Sequence, residues 1–183
     1  MTLFMLRHAS AGTSRINPLL DVKRPLDKEG KQHCLHLAHI LNALKVNFDL
    51  IVSSPLKRSL QTAQLVATET GYETRVLVAN ALAPGASFAE FQALLKEFKG
   101  HENVLVVGHS PNLPVFLGSL LLPQEVGGPT PAVVPQIRLR KGSMARVSMT
   151  VGPAVLQGLV DPRTVRALYA TSTKSSRRKT SRK

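Results

Sequence analysis

Short unbroken apolar runs alternate with stretches of helical periodicity along the first two thirds of the chain. Leu3-Phe4-Met5-Leu6 is the first run, too short for an independent helix, and it predicts a buried strand. Residues 11–26 show little periodicity and carry Gly12, Pro18 and Pro25, which predicts a loop. Asp27 then stands as an N-cap before Cys34, Leu37, Ala38, Leu41 and Leu44, spaced as one apolar helix face. Asp49-Leu50-Ile51-Val52 is a second buried strand running into Ser53-Ser54-Pro55. Ser54 is the expected N-cap and Pro55 the first helical residue of a helix with Leu56, Leu60, Ala63 and Ala67 on one face, ending near Gly71. Arg75-Val76-Leu77-Val78 predicts a third strand. Phe88, Phe91, Leu94, Leu95 and Phe98 mark an amphipathic helix, and Val104-Leu105-Val106-Val107 is a fourth, strongly β-branched strand. It ends on Gly108-His109-Ser110-Pro111, after which Leu113, Phe116, Leu117 and Leu120 continue as a helix.

Beyond residue 122 the punctuation thickens. Residues 123–136 are rich in proline and glycine and predict a connecting loop. Ile137 to Arg140 and Met144 to Thr150 flank Lys141-Gly142-Ser143 and predict a hairpin. Val155 to Val160 adds a strand, and Asp161-Pro162 opens a last helix to about Tyr169. Residues 171–183 hold only Ser, Thr, Lys and Arg, a composition expected to be disordered. Strands alternating with helices predict an α/β three-layer sandwich with a mostly parallel central sheet, extended at one edge by an antiparallel hairpin. One domain over residues 1–170 and a basic tail over 171–183 follow.

Composition narrows the function classes. The 183 residues contain one cysteine, Cys34, which excludes an intramolecular disulfide and a cysteine zinc site. A reducing, cytoplasmic compartment is the default expectation. The N-terminus has no basic region before its short apolar run, so no secretory signal is expected, and no apolar stretch is long enough to predict a membrane span. The formal net charge is +13; six of the cations lie in the last thirteen residues, where there is no acid, so the body still carries +7. That balance suits an anionic substrate, and equally nucleic acid or an acidic partner. Nucleic acid is disfavoured by the absence of Trp, the presence of only two Tyr and the lack of a recognised motif. His33, His36 and His39 suggest a metal at first sight, but the outer two lie about 240° apart around a helix and do not converge.

Chemistry gathers at the strand ends. Arg7 and His8 close the first buried strand, where a cation and an imidazole cost desolvation and therefore imply a task. The carboxyl edge of an open α/β sheet is where ligands bind. The competing reading has Arg7 pairing with a surface acid and His8 merely capping the strand. Arg58 lies one turn into the helix after the second strand, and His109 follows the fourth. Parallel strands bring all four groups to one edge, with two helix N-termini aimed at the same place. Two guanidiniums, two imidazoles and two helix starts make an anion pocket that suits phosphate.

Three blocks carry a resemblance. Leu6-Arg7-His8-Ala9 resembles the Arg-His-Gly signature of the histidine phosphatase (phosphoglycerate mutase-like) superfamily. Ser54-Pro55-Leu56-Lys57-Arg58 with Thr62-Ala63 is similar to its second block, and Gly108-His109-Ser110 to its third. The resemblance covers roughly residues 1–122. Arg24-Pro25-Leu26 followed by Gly30 is similar to a segment of the SixA-type phosphohistidine phosphatases. The resemblance implies a phosphoglycerate mutase-like fold, His8 as nucleophile, and Arg7, Arg58 and His109 around the phosphate, with Ser110 as a further contact. Arg24 is either a rim contact or a plain surface arginine. Ala9 replaces the usual glycine, and Asp27 stands where that branch often has threonine. The glutamate acid of larger members has no counterpart in Ala81-Leu82-Ala83-Pro84-Gly85, the nearest carboxylate being Glu90.

The implied mechanism is in-line attack by a neutral His8, a phosphohistidine intermediate, and charge neutralisation by the arginines and a protonated His109. No metal or cofactor is implied, since the cationic side chains take the electrostatic role. The expected substrate is protein phosphohistidine or another phosphate with a good leaving group. Two alternatives stand beside it: a non-catalytic phosphate- or nucleic-acid-binding module, and a small-molecule phosphomonoesterase with Glu90 as acid. A serine-hydrolase reading of Gly108-His109-Ser110 fails because Pro111 has no N–H for an oxyanion.

Overall fold

Alternation of side chains along the buried strands sets the layers of the molecule. The computed structural model describes residues 1–122 and 134–170. Strand β1 (Thr2–Arg7) sends Leu3 and Met5 to one face and Phe4 and Leu6 to the other, and all four are almost fully buried. Leu3 and Met5 join Val104, Val106 and Val52 in one apolar cluster; Phe4 and Leu6 join Leu105, Val107 and Ile51 in a second. Both faces are therefore covered, as a parallel sheet requires.

The sheet runs in the order β3-β2-β4-β1-β5-β6, with β2 (Leu50–Ser53), β3 (Leu77–Val78), β4 (Asn103–Gly108), β5 (Met144–Ser148) and β6 (Val155–Val160). Pairs β1–β4, β2–β4 and β2–β3 are parallel, whereas β1–β5 and β5–β6 are antiparallel. The expected three-layer sandwich with a mixed, mainly parallel sheet is thus observed. Helices α2 (Lys28–Ala43) and α3 (Lys57–Glu69) cover the Phe4 face through Cys34, Leu37, Leu41, Ala63 and Val66. On the opposite face α4 (Phe88–Glu97) and α5 (Asn112–Leu120) contribute Phe91, Leu94, Phe116 and Leu117. A last helix, α6, spans residues 162–170. No helix among the described residues is long and apolar enough to cross a membrane.

Four local expectations are corrected. The 11–26 loop contains a helical turn, α1 (Pro18–Val22), capped by Asn17, whose side chain accepts from the Leu19 N–H. Ser54 does not cap α3; the helix starts at Lys57, because the Ser54 hydroxyl lies 2.8 Å from His109 Nε2 and only 3.4 Å from the Leu56 N–H. The third strand shortens to Leu77–Val78. The hairpin is β5–β6, not Ile137–Arg140 with Met144–Thr150: β1 and β6 already occupy both edges of β5, so residues 137–140 have no ladder to join. Much of the predicted 123–136 loop and the basic tail lie outside the described residues.

The outer two histidines of α2 diverge as their spacing requires, His33 toward Gly142 and His39 toward Tyr169. His33 Nε2 donates to the Gly142 carbonyl at 2.8 Å, and His36 stacks on Tyr169 with ring centroids 3.9 Å apart. The Cys34 thiol is buried and its pKa is pushed up to about 12, so it is no nucleophile.

Candidate active site

The ends of β1 and β4 are locked side by side, which fixes His8 against His109. The His8 N–H donates to the Gly108 carbonyl, and the Arg7 N–H to the Ser143 carbonyl, both at 3.0 Å. The Gly142 N–H reaches back to the Arg7 and His8 carbonyls at 3.0 and 3.1 Å. One residue further, the Ala9 N–H donates to Thr62 Oγ1, whose hydroxyl donates to the Arg58 carbonyl at 2.8 Å. The end of β1 is thereby tied to the helix that carries Arg58. Asp27 anchors the loop beyond: its carboxylate accepts from Ser10 Oγ (2.6 Å), the Gly12 N–H and the Gly30 N–H (both 2.7 Å). Gly30 is required here, because a Cβ on it would lie 2.0 Å from the Ser10 carbonyl oxygen.

His8 is 5% exposed, and its Nδ1–H donates to the Ala9 carbonyl at 2.8 Å. That bond fixes the tautomer and leaves the lone pair on Nε2. Burial lowers its pKa to about 4; the Ala9 carbonyl opposes the shift, and Arg58, Arg7 and Lys141 reinforce it. Burial and the neighbouring cations thus hold the imidazole toward its neutral form at pH 7.

His109 is also buried, its ring centroid 5.1 Å from that of His8. Its Nε2 lies 2.8 Å from Ser54 Oγ and 3.2 Å from Ser59 Oγ, while Nδ1 is buried without a partner. Burial, then repulsion from a protonated His8 and the charges of Arg58, Arg7 and Arg24, lower its pKa to about 3. In the ligand-free pocket His109 is thus held toward its neutral form, and the proton expected on it with phosphate bound would come with an arriving anion, which raises its proton affinity.

Arg7 donates through Nη1 to the Leu139 carbonyl at 2.8 Å, and Arg58 through Nη1 to the Asp21 carbonyl (3.0 Å) and Asp21 Oδ2 (3.2 Å). Both Nε groups are buried and have no hydrogen-bond partner among the described residues. Two guanidinium nitrogens and one imidazole nitrogen thus lack partners among the described residues, in a pocket whose cations suit a tetrahedral oxyanion. Neither α3 nor α5 spends its first N–H groups on a side-chain cap.

Arg24 is neither a surface arginine nor open at the rim. It is 6% exposed and donates to the Ala11 carbonyl (2.7 Å), the Gly12 carbonyl (3.2 Å) and Asp21 Oδ1 (2.8 Å). Ser110 is exposed and lines a cleft beside the site. Glu90 sits apart as half of a capping box, accepting from the Ser87 N–H and hydroxyl at 2.7 Å; these bonds lower its pKa, the reverse of what a proton donor at neutral pH needs.

Two functional neighbours escape sequence reasoning. Asp21 bridges Arg24 and Arg58, and the hydrogen bond from Arg24 holds its carboxyl well below the usual range. Its only sequence signal is the three-residue spacing to Arg24. Lys141, on the turn that clasps the end of β1, lies close enough for its charge to depress His8.

The model of the histidine phosphatase superfamily (branch 1) matches residues 3–83. An uncharacterized protein of Picosynechococcus sp. is 34% identical over 116 residues, which are 62% of this chain and 68% of that relative. The chain belongs to the histidine phosphatase superfamily.

Its fold is shared with solved structures of the same superfamily type. The protein histidine phosphatase SixA complexed with tungstate superposes with a TM-score of 0.76 at 23% identity, covering 90% of this chain and 99% of that one. The alpha-ribazole phosphatase of Shigella flexneri gives 0.66 at 19% identity, covering 88% and 97%. A mycobacterial glucosyl-3-phosphoglycerate phosphatase gives 0.63 at 21% identity, covering 85% and 96%. Histidine phosphatase membership accounts for the three sequence blocks falling at one sheet edge in this chain.

Proposed function

We propose that this chain is a phosphatase acting through a covalent phosphohistidine on His8, with phosphohistidine in proteins, or another phosphate with a stabilised leaving group, as substrate. The observation that carries the reading is the state of His8: a neutral imidazole, tautomer fixed by the Ala9 carbonyl, set among cations with unsatisfied donors. The best-superposing neighbour named above binds tungstate, a tetrahedral oxyanion, which fits the same interpretation.

His8 Nε2 attacks phosphorus in line; the new N–P bond forms as the bond to the leaving group breaks. Arg7 and Arg58 neutralise charge on the equatorial oxygens, and His109 gains a proton as the dianion binds. Phosphohistidine leaves as a neutral imidazole if its other nitrogen is already protonated, so no enzyme acid is needed. Water then attacks the phosphoenzyme, phosphate departs, and His8 returns neutral. Cytoplasmic location fits a substrate of this kind and the single buried thiol.

Incubation with a labelled phosphodonor tests the reading. An acid-labile, base-stable phosphoenzyme is expected in the wild type and none in His8→Ala, whose strand-end position leaves the core intact. Near-normal turnover by a folded His8→Ala protein would remove the covalent mechanism.

A further inference from the structure

An open cleft of about 970 Å³ begins at Arg7 and runs between residues 134–141, the start of α5 and the helix at 162–170. That volume is near the upper end of ligand pockets, which reach about 1,000 Å³, and far exceeds what a phosphoryl group fills. Among the described residues its lining carries Arg7, Arg138, Arg140, Lys141, Arg163 and Arg166 against one acid, Glu29. Part of this charge is neutralised locally: Arg166 pairs with Glu29, and Arg140 and Arg163 share Asp161. Arg138 and Lys141 are exposed and make no ion pair among the described residues.

Between the cations the wall is apolar: Pro111, Pro114, Val115 and Ile137 face the same space, and Val115 is 47% exposed. This mixture selects among anionic chains. Inorganic polyphosphate would cover the apolar wall with charged oxygens and gain nothing from it. Nucleic acid needs rings on which bases stack, and among the described residues no aromatic side chain but His33 lines the cleft. The chain's own last thirteen residues are basic and share the sign of the cleft. A polypeptide with interspersed carboxylates and aliphatic side chains satisfies both parts of the wall.

We propose that this cleft docks an acidic, aliphatic polypeptide segment next to the phosphorylated residue of a protein substrate, with Arg138 and Val115 as specificity-determining contacts. The assignment deepens, and rests on, the reading of His8 as phosphoryl acceptor. It makes the substrate a protein with an acidic flank rather than a free phosphorylated metabolite.

Two short peptides with a central phosphohistidine provide the test, one flanked by alternating Glu and Val, the other by alternating Lys and Ser. Wild-type kcat/KM is expected to favour the Glu/Val peptide by about tenfold or more, with the advantage falling as salt rises. Arg138→Glu and Val115→Glu, both at exposed positions, should abolish that preference while leaving hydrolysis of a small aryl phosphate within about twofold. Equal rates on the two peptides, or a preference untouched by both variants, would overturn the docking assignment. Fluorescence anisotropy with the unphosphorylated Glu/Val peptide separates the two layers of the argument. Binding lost in Arg138→Glu supports the cleft even if aryl phosphate turnover is absent, in which case the reading of His8 alone fails. Tighter binding of single-stranded RNA or polyphosphate than of the peptide would refute the choice of occupant.

Discussion

Lowering the pH from 7 to 5 should leave the His8 imidazole neutral while an ordinary histidine becomes charged. With a pKa near 4, about 0.9 of His8 stays neutral at pH 5; at the unperturbed 6.5 the neutral fraction would be about 0.03. The neutral His8 imidazole is thus about thirtyfold more populated at pH 5 than an unshifted one would be. The same shift carries a stability signature. The folded pKa lies below the unfolded one, so the unfolded chain binds more protons between them. Stability is present in full above pH 6.5 and is lost as the pH falls from there to about 4. The loss between pH 7 and 5 is on the order of 2 kcal/mol for His8, and of similar size for His109, whose pKa is lower still.

Proton NMR of the imidazole C2–H resonances, assigned with His8→Gln and His109→Gln, reads both midpoints directly. Urea unfolding at pH 7 and pH 5 reads the stability change, which should shrink in each Gln variant. Saturating inorganic phosphate should raise both midpoints, because a dianion reverses the sign of the local field. A His8 midpoint at or above 6 in the ligand-free protein, with a pH-independent urea midpoint, would refute the burial-and-cation account of the nucleophile.

The layers and the inner site were legible in the sequence for one physical reason: short apolar runs leave little choice but buried parallel strands, and such strands deliver their last residues to one edge. Arg7, His8, Arg58 and His109 could be placed together on that basis, and the structure joins them. Asp21 and Lys141 could not, since each reaches the site through contacts remote in sequence. Asp21 meets Arg58 across 37 positions, and the Lys141 turn is held by backbone bonds to the end of β1. The misplaced hairpin has a similar origin. Residues 137–140 alternate like a strand, with Leu139 buried, but strand pairing depends on a vacant edge that no local pattern reveals. Ser54 misled because capping preferences assume the hydroxyl is free, and here His109 takes it.

Further outcomes follow from individual side chains. Arg58→Ala should slow turnover by about 10²–10³, since it removes a preorganised cation from the equatorial oxygens; a loss under tenfold would show that Arg7 alone suffices. Gly30→Ala should lower the urea midpoint by an amount equivalent to about 1–3 kcal/mol, because its Cβ meets the Ser10 carbonyl at 2.0 Å; an unchanged midpoint would mean that the 8–12 loop yields freely. The leaving group supplies the last outcome. An alkyl phosphate expels a poor alkoxide and needs a positioned acid. Glu90 is committed to capping α4 with a lowered pKa, and Asp21 is held as a carboxylate by two arginines, so neither offers a proton at neutral pH. Phosphohistidine expels a neutral imidazole and an aryl phosphate a stabilised anion, and neither requires that proton. The kcat/KM values should therefore rank phosphohistidine peptide and aryl phosphate far above glycerol or sugar phosphates. If an alkyl ester were the best substrate, and Glu90→Gln or Asp21→Asn selectively removed that activity, one of these carboxylates would have to shed its present partners in the substrate complex, and the acid-free mechanism would be wrong.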